Sequence, residues 1–177
     1  MEDVCARCHA LGHGCCLIKE ENIPNQIGIF YSDIQRICNH LNVSEEYFVV
    51  KDTVSDEFLE ALTTSIHPIF KKIYHKNIGF KLKTIDGKCV FLSDTGCKLP
   101  DSARPLYCKI YPFWSSKDDK FINVLSSFDC LAQRQSTLSW RIVNENFGYT
   151  EEYIRGMFEE IVNAAEEHIM QLNGSNL

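Results

Sequence analysis

The stretch Phe80-Lys81-Leu82-Lys83-Thr84-Ile85-Asp86-Gly87-Lys88-Cys89-Val90-Phe91-Leu92 breaks with the chain before it. Phe80 and Leu82 alternate with Lys81 and Lys83, the period of a strand with one buried face. Asp86-Gly87 is a tight-turn signal, because two-residue hairpin turns favour residues that tolerate positive φ. Cys89-Val90-Phe91-Leu92 reads as the returning strand. This predicted hairpin runs into residues 97–114, where Pro100, Pro105 and Pro112 exclude a long helix. Phe121–Leu125 is a further strand candidate.

The flanks are helical. Ser32 with Gln35 three residues later matches a capping box for a helix over 33–41. Its apolar positions Ile34, Ile37, Cys38 and Leu41 recur at helical spacing. Ser44 is expected to cap a short helix through Phe48. Ser55 is expected to cap a third, with Phe58, Leu59 and Leu62 inward, and Pro68 favours a fresh start within 66–75. Thr150 is placed to cap a long final helix. Ile154, Met157, Phe158, Ile161, Val162, Ala165, Ile169 and Leu172 form its apolar stripe, and Gly174 stands at its stop. The stripe is expected to pack on the domain. The pattern predicts a small α+β domain: several short helices, a β-hairpin, an irregular cysteine-rich metal-binding centre, and a long closing C-terminal amphipathic helix. Residues 5–130 form the predicted metal-binding domain and 131–174 the helical segment packed on it.

A chain of 177 residues has room for one ordinary core. With 45% hydrophobic and 24% charged residues it is not a disordered chain. No apolar run reaches the roughly 18 residues of a membrane helix. The start Met1-Glu2-Asp3-Val4-Cys5 is acidic and unlike a secretory signal, so a cytoplasmic protein is expected. Net charge of −6 argues against a nucleic-acid partner. Residues 71–109 nevertheless hold nine Lys/Arg against three acids, leaving −12 for the rest. Such a stretch is a solvated face, a docking surface for an acidic partner, or compensation for bundled thiolates.

Nine cysteines are the outlier. In a chain expected to stay reduced, clustered thiols hold metal or do redox chemistry. Cys38 sits on an apolar helical stripe and reads as a small buried hydrophobe. The other eight are Cys5, Cys8, Cys15, Cys16, Cys89, Cys97, Cys108 and Cys130. Thiolates select zinc, iron–sulfur clusters or copper(I), and four complete one zinc site or one cluster. Eight suggest two such centres, or one with spare redox thiols. Cys15 and Cys16, if extended, would point to opposite sides and serve different centres, or one would bridge. Only Cys5/Cys8 forms a short hook, whereas structural zinc usually brings two. Phe91, Tyr107, Tyr111, Phe113, Trp114 and Phe128 surround the later cysteines in sequence and would form an apolar shell that tunes a cluster. An iron–sulfur cluster is therefore the leading cofactor and zinc the alternative. Cys5-Ala6-Arg7-Cys8-His9 also matches the haem-attachment pattern, which the expected compartment disfavours. His9 and His13 could replace a thiol at a zinc site, but with thiols already abundant they read as solvent-facing loop histidines. Arg104, four residues before Cys108, is placed to hydrogen-bond sulfur or backbone oxygen beside the cofactor and to offset thiolate charge.

In order, Cys5 to Cys16, Cys89-Val90-Phe91-Leu92-Ser93-Asp94-Thr95-Gly96-Cys97, and Arg104-Pro105-Leu106-Tyr107-Cys108-Lys109-Ile110-Tyr111-Pro112-Phe113 resemble the YkgJ-type cysteine-cluster family, whose domain is described as chelating zinc or iron. Ser32–Ile37 and Val43–Phe48 resemble its helical stretch, so the likeness spans about residues 5–130. It implies that the eight cysteines are the ligands. The spacer Cys8-x6-Cys15 is longer than the family's, and Cys130-Leu131-Ala132 lacks its frequent Pro-Gly. Relatives are often labelled iron–sulfur oxidoreductases, and a related cluster occurs in larger flagellin lysine methylases. The resemblance implies redox or cluster-dependent modification chemistry, with an electron donor, acceptor or protein partner. The rival readings are a zinc-stabilised binding module docking an acidic partner and a metal carrier or assembly factor.

Overall fold

The computed structural model describes residues 6, 9–10, 14–17, 28–65, 68–74, 78–115, 122–124, 144 and 147–174. Cys5, Cys8, His13, Phe128, Cys130 and the 130/131 boundary lie outside them, as does the side chain of Leu62.

Helix α1 spans Tyr31–Leu41 and starts two residues before the expected position. Phe30 is its N-cap, and the Asp33 carboxylate accepts the Phe30 N–H at 3.1 Å. Ser32 is therefore inside the first turn, and its buried Oγ has no hydrogen-bond partner among the described residues. The Ser-x-x-Gln pattern lost to Asp33 because a carboxylate at the third helical position can reach back to the cap amide. Ile34 and Ile37 are buried, and Asn42 closes the helix in the left-handed region at φ 53°. The expected helix after Ser44 is one 3₁₀ turn, Glu45–Tyr47, without a side-chain cap bond from Ser44. Helix α2, Asp56–Ser65, begins as expected, with Ser55 Oγ accepting the Phe58 N–H at 3.1 Å. Pro68 precedes the short helix α3, Ile69–Lys72, which buries Phe70.

The strand reading needs correction. Strand β1, Val49–Thr53, pairs antiparallel with β2, Ile78–Leu82, with Val49 opposite Leu82 and Thr53 opposite Ile78. Phe80 and Leu82 thus find their partner upstream. The Asp86-Gly87 turn exists, with φ 51° and 72°, but joins only β3, Thr84–Ile85, to β4, Lys88–Cys89. Lys81 is not on an open face: it is buried, with Nζ 3.3 Å from Asp52 Oδ2 and 3.1 Å from the Thr53 carbonyl. A buried ammonium is tolerable when it is paired and hydrogen-bonded. One positive charge of the basic stretch is thereby turned inward. Next come the ribbon β5, Leu92–Ser93, with β6, Gly96–Cys97, then helix α4, Leu106–Ile110, then β7, Phe113–Ser115, paired with β8, Ile122–Val124.

Helix α5, Glu151–Gly174, starts at Thr150, whose Oγ1 accepts the Tyr153 N–H at 3.0 Å. It buries Ile154, Met157, Phe158, Ile161, Ala164, Ala165 and His168. The apolar residues divide into two clusters. One joins α5 to Phe70, Tyr74, Tyr107, Phe113 and Trp114. The other joins α1 to Phe48, Phe80, Cys89, Phe91, Leu99 and Ala103. The result is α+β, with small antiparallel ribbons between helices. No described helix is long and apolar enough to cross a membrane.

Candidate metal centre

Cys15 and Cys16 occupy the middle of a turn closed by the Leu17 N–H on the Gly14 carbonyl at 3.0 Å. They are not on an extended segment, so the expectation that their sulfurs diverge fails. The two thiols are hydrogen-bond neighbours. Leu17 then bridges Lys88 in antiparallel sense, and Cys89 N–H donates to the Cys16 carbonyl at 2.9 Å. Cys16 therefore stands opposite Cys89, and their thiols are also hydrogen-bond neighbours.

Cys97 ends β6 and packs half-buried against the same core as Cys16 and Cys89. Gly96 before it has φ +106°, a backbone conformation L side chains rarely adopt. A Cβ there would lie 3.3 Å from the Cα of Ala6. The ribbon that ends in Cys97 thus lies against Ala6.

Cys108 comes from α4, which is held in place by α1. The buried Asp33 carboxylate accepts the Leu106 N–H at 3.1 Å and also bonds the Arg36 guanidinium. Arg36 Nη2 reaches the Arg104 carbonyl at 2.9 Å. Arg104 Nε donates to the Leu99 carbonyl at 3.1 Å, bracing the loop between Cys97 and Cys108. Its described bond thus goes to backbone oxygen.

These groups feel one another electrically. The adjacent Cys15 thiol, then burial and charge near Cys15 and Cys97, push Cys16 up to about 12, while the hydrogen bond with Cys89 pulls it down. The hydrogen bond with Cys16, then burial, pushes Cys89 far up. Cys108 keeps solvent-accessible surface, yet the protein packed around it, then Cys16, Cys89, Cys97 and Asp33, hold its thiol well above the usual range. Like charges this close cannot all develop without a cation. Cys16, Cys89 and Cys97 share one core, but among the described residues no three Cys, His, Asp or Glu side chains gather tightly enough to hold a metal ion. Thiolates are soft donors, which zinc, iron–sulfur clusters and copper(I) select. Cys38 packs half-buried against the Ile34–Ile37 core, and desolvation raises its thiol.

The expected aromatic shell divides. Phe91 shares a cluster with Cys89, whereas Tyr107, Phe113 and Trp114 belong to the cluster under α5. Tyr107 and Trp114 stack at 5.2 Å and 10°. Asp33 and Arg36 were invisible as site residues, since nothing local separates them from a solvated helix face. The Gly-Cys step at 96–97 was the one available signal for the close approach of Ala6. Comparisons with protein-family models, curated proteins and solved structures returned no match.

Proposed function

We propose that this chain is a metal-binding protein whose cysteines hold an iron–sulfur cluster, in the manner of the YkgJ-type family its motifs resemble. The observation that carries the reading is that Cys16 stands opposite Cys89, more than 70 residues away in sequence, with Cys97 packed on the same core. By the family resemblance Cys5, Cys8 and Cys130 belong to the same ligand set. Such a centre supplies electron-transfer or cluster-dependent modification chemistry when loaded. The chain's own part is to bring softness and negative charge to one place, and to brace the loop before Cys108 through Arg104, Arg36 and Asp33.

A second reading, a zinc-stabilised binding module, is favoured by the position of the aromatics. Tyr107, Phe113 and Trp114 serve the α5 core, which weakens the argument from a cluster-tuning shell. The test is anaerobic purification with metal and acid-labile sulfide analysis and an absorption spectrum. Iron with sulfide supports the cluster. Stoichiometric zinc without sulfide supports the module. A well-folded chain that takes up neither metal overturns both.

A further inference from the structure

Cys16 and Cys89 are opposite one another on paired antiparallel segments. The Cys89 N–H to Cys16 carbonyl bond is 2.9 Å, next to the Leu17–Lys88 bridge. Opposed residues of such a hydrogen-bonded pair have Cα atoms about 5.5 Å apart. Disulfides span Cα separations of roughly 4.4–6.8 Å. Both side chains pack on the same apolar core, Cys89 within it and Cys16 against it, so closing the bond asks for their Cβ atoms to approach to about 3.5–4.5 Å. Cys15–Cys16, the pair adjacent in sequence, has no such geometry, because a disulfide between neighbouring residues is strained.

We propose that Cys16 and Cys89 form a reversible cross-strand disulfide in the metal-free protein, which removes both sulfurs from the metal centre. The oxidant is a small-molecule disulfide. The half-buried Cys16 is the more accessible of the two, so its sulfur attacks first. One small thiol leaves with the Cys16 proton, and a mixed disulfide remains. The buried Cys89 sulfur then displaces the second small thiol, which carries away the Cys89 proton. Two protein thiols are oxidised and one small disulfide is reduced to two thiols. The linkage would fasten the Gly14–Leu17 turn to β4 while the ligands are empty. The disulfide requires no metal; its competition with metal rests on the proposed metal centre.

The test uses the full metal-free chain equilibrated in oxidised and reduced glutathione, then alkylated, digested and read by mass spectrometry. The expected result is a Cys16–Cys89 cross-link, two hydrogens lighter than the free peptides and lost on adding dithiothreitol. Cys15→Ser is expected to retain it, and Cys89→Ser to leave glutathione trapped on Cys16. A chain that stays reduced at the most oxidising ratio, or links Cys89 mainly to another cysteine, overturns the proposal. Zinc added first is expected to suppress the cross-link. If the cross-link forms equally with zinc present, the disulfide stands and the metal reading fails at these residues. If zinc binds and no cross-link forms without it, the metal reading stands and the disulfide falls.

Discussion

The Asp33 carboxylate on α1 accepts the backbone N–H of Leu106, at a separation of 3.1 Å and 73 residues further along the chain. Leu106 opens α4, the five-residue helix that carries Cys108. A helix that short has no stability of its own in water, because nucleation costs more than its few bonds return. The same carboxylate takes the Phe30 N–H at the start of α1 and the Arg36 guanidinium. One side chain thus orders two helix starts.

Asp33→Asn keeps the shape but removes the charge, and it turns amide hydrogens toward donors. The expected cost is about 1–3 kcal/mol, the usual penalty for unsatisfied buried partners. Denaturant melts measure it. Alkylation of Cys108 is expected to quicken in the same variant, since α4 loses its anchor. Unchanged melts and unchanged Cys108 reactivity would remove Asp33 from this role.

Gly96→Ala combines a positive φ with a Cβ placed 3.3 Å from the Ala6 Cα. A strained backbone of this kind costs about 1–3 kcal/mol. The chain around Ala6 must move away, so metal uptake is expected to fall with stability. Gly156→Ala is the control: a Cβ there meets nothing within 4 Å, inside α5. That change is expected to raise stability by about 1 kcal/mol through helix propensity. Parallel thermal melts and zinc titrations of both variants separate the effects.

Cys108→Ser and Cys8→Ser are expected to damage the metal-loaded fold much more than Cys38→Ser. Loss of a structural metal removes several kcal/mol or more of folding free energy. Cys38 only packs against apolar neighbours, so a hydroxyl there costs about 1–3 kcal/mol. Equal melts for the three variants would contradict the ligand assignment.

Arg104 donates Nε to the Leu99 carbonyl while its own carbonyl accepts from Arg36. Arg104→Ala is expected to lower metal retention, measured by competition with a chelator. Arg104→Lys keeps the charge but loses the planar fork, and is expected to restore retention only in part. Retention equal to the parent in the alanine variant would return Arg104 to the solvated basic face.

His168 gives the fold a defined acid sensitivity. Its Nδ1 accepts the Tyr31 N–H at 3.1 Å, which requires the neutral ring, and its ring packs against Phe30, Tyr31 and Phe80. Burial lowers its pKa to about 4, against the opposing hydrogen bond with the Ile73 backbone. The unfolded chain therefore binds this proton first as pH falls. The stabilisation is complete above about pH 6.5 and is lost progressively toward about pH 4. It is on the order of 3 kcal/mol. Denaturant melts at pH 7 and pH 5 are expected to differ more for the parent than for His168→Gln. Identical pH slopes would show that carboxylates alone set the acid limb.

Local chemistry determined what the sequence showed by itself. The Asp86-Gly87 turn, the Ser55 and Thr150 caps and the apolar stripe of α5 each depend on residues a few positions apart. Tertiary structure decided which strand β2 pairs with, because Val49–Thr53 and Asp86-Gly87 both offer Phe80–Leu82 a neighbour and burial of both strand faces selects the first. It turned Lys81 inward, where Asp52 and the Thr53 carbonyl compensate a charge that periodicity places outside. It set Cys16 against Cys89: the glycines at 12 and 14 give the segment its turn character, but the strand that the turn meets comes from far along the chain. It also made Asp33 and His168 structural keystones. A buried hydrogen-bond acceptor is recognised only by donors, and those donors arrive from distant parts of the chain.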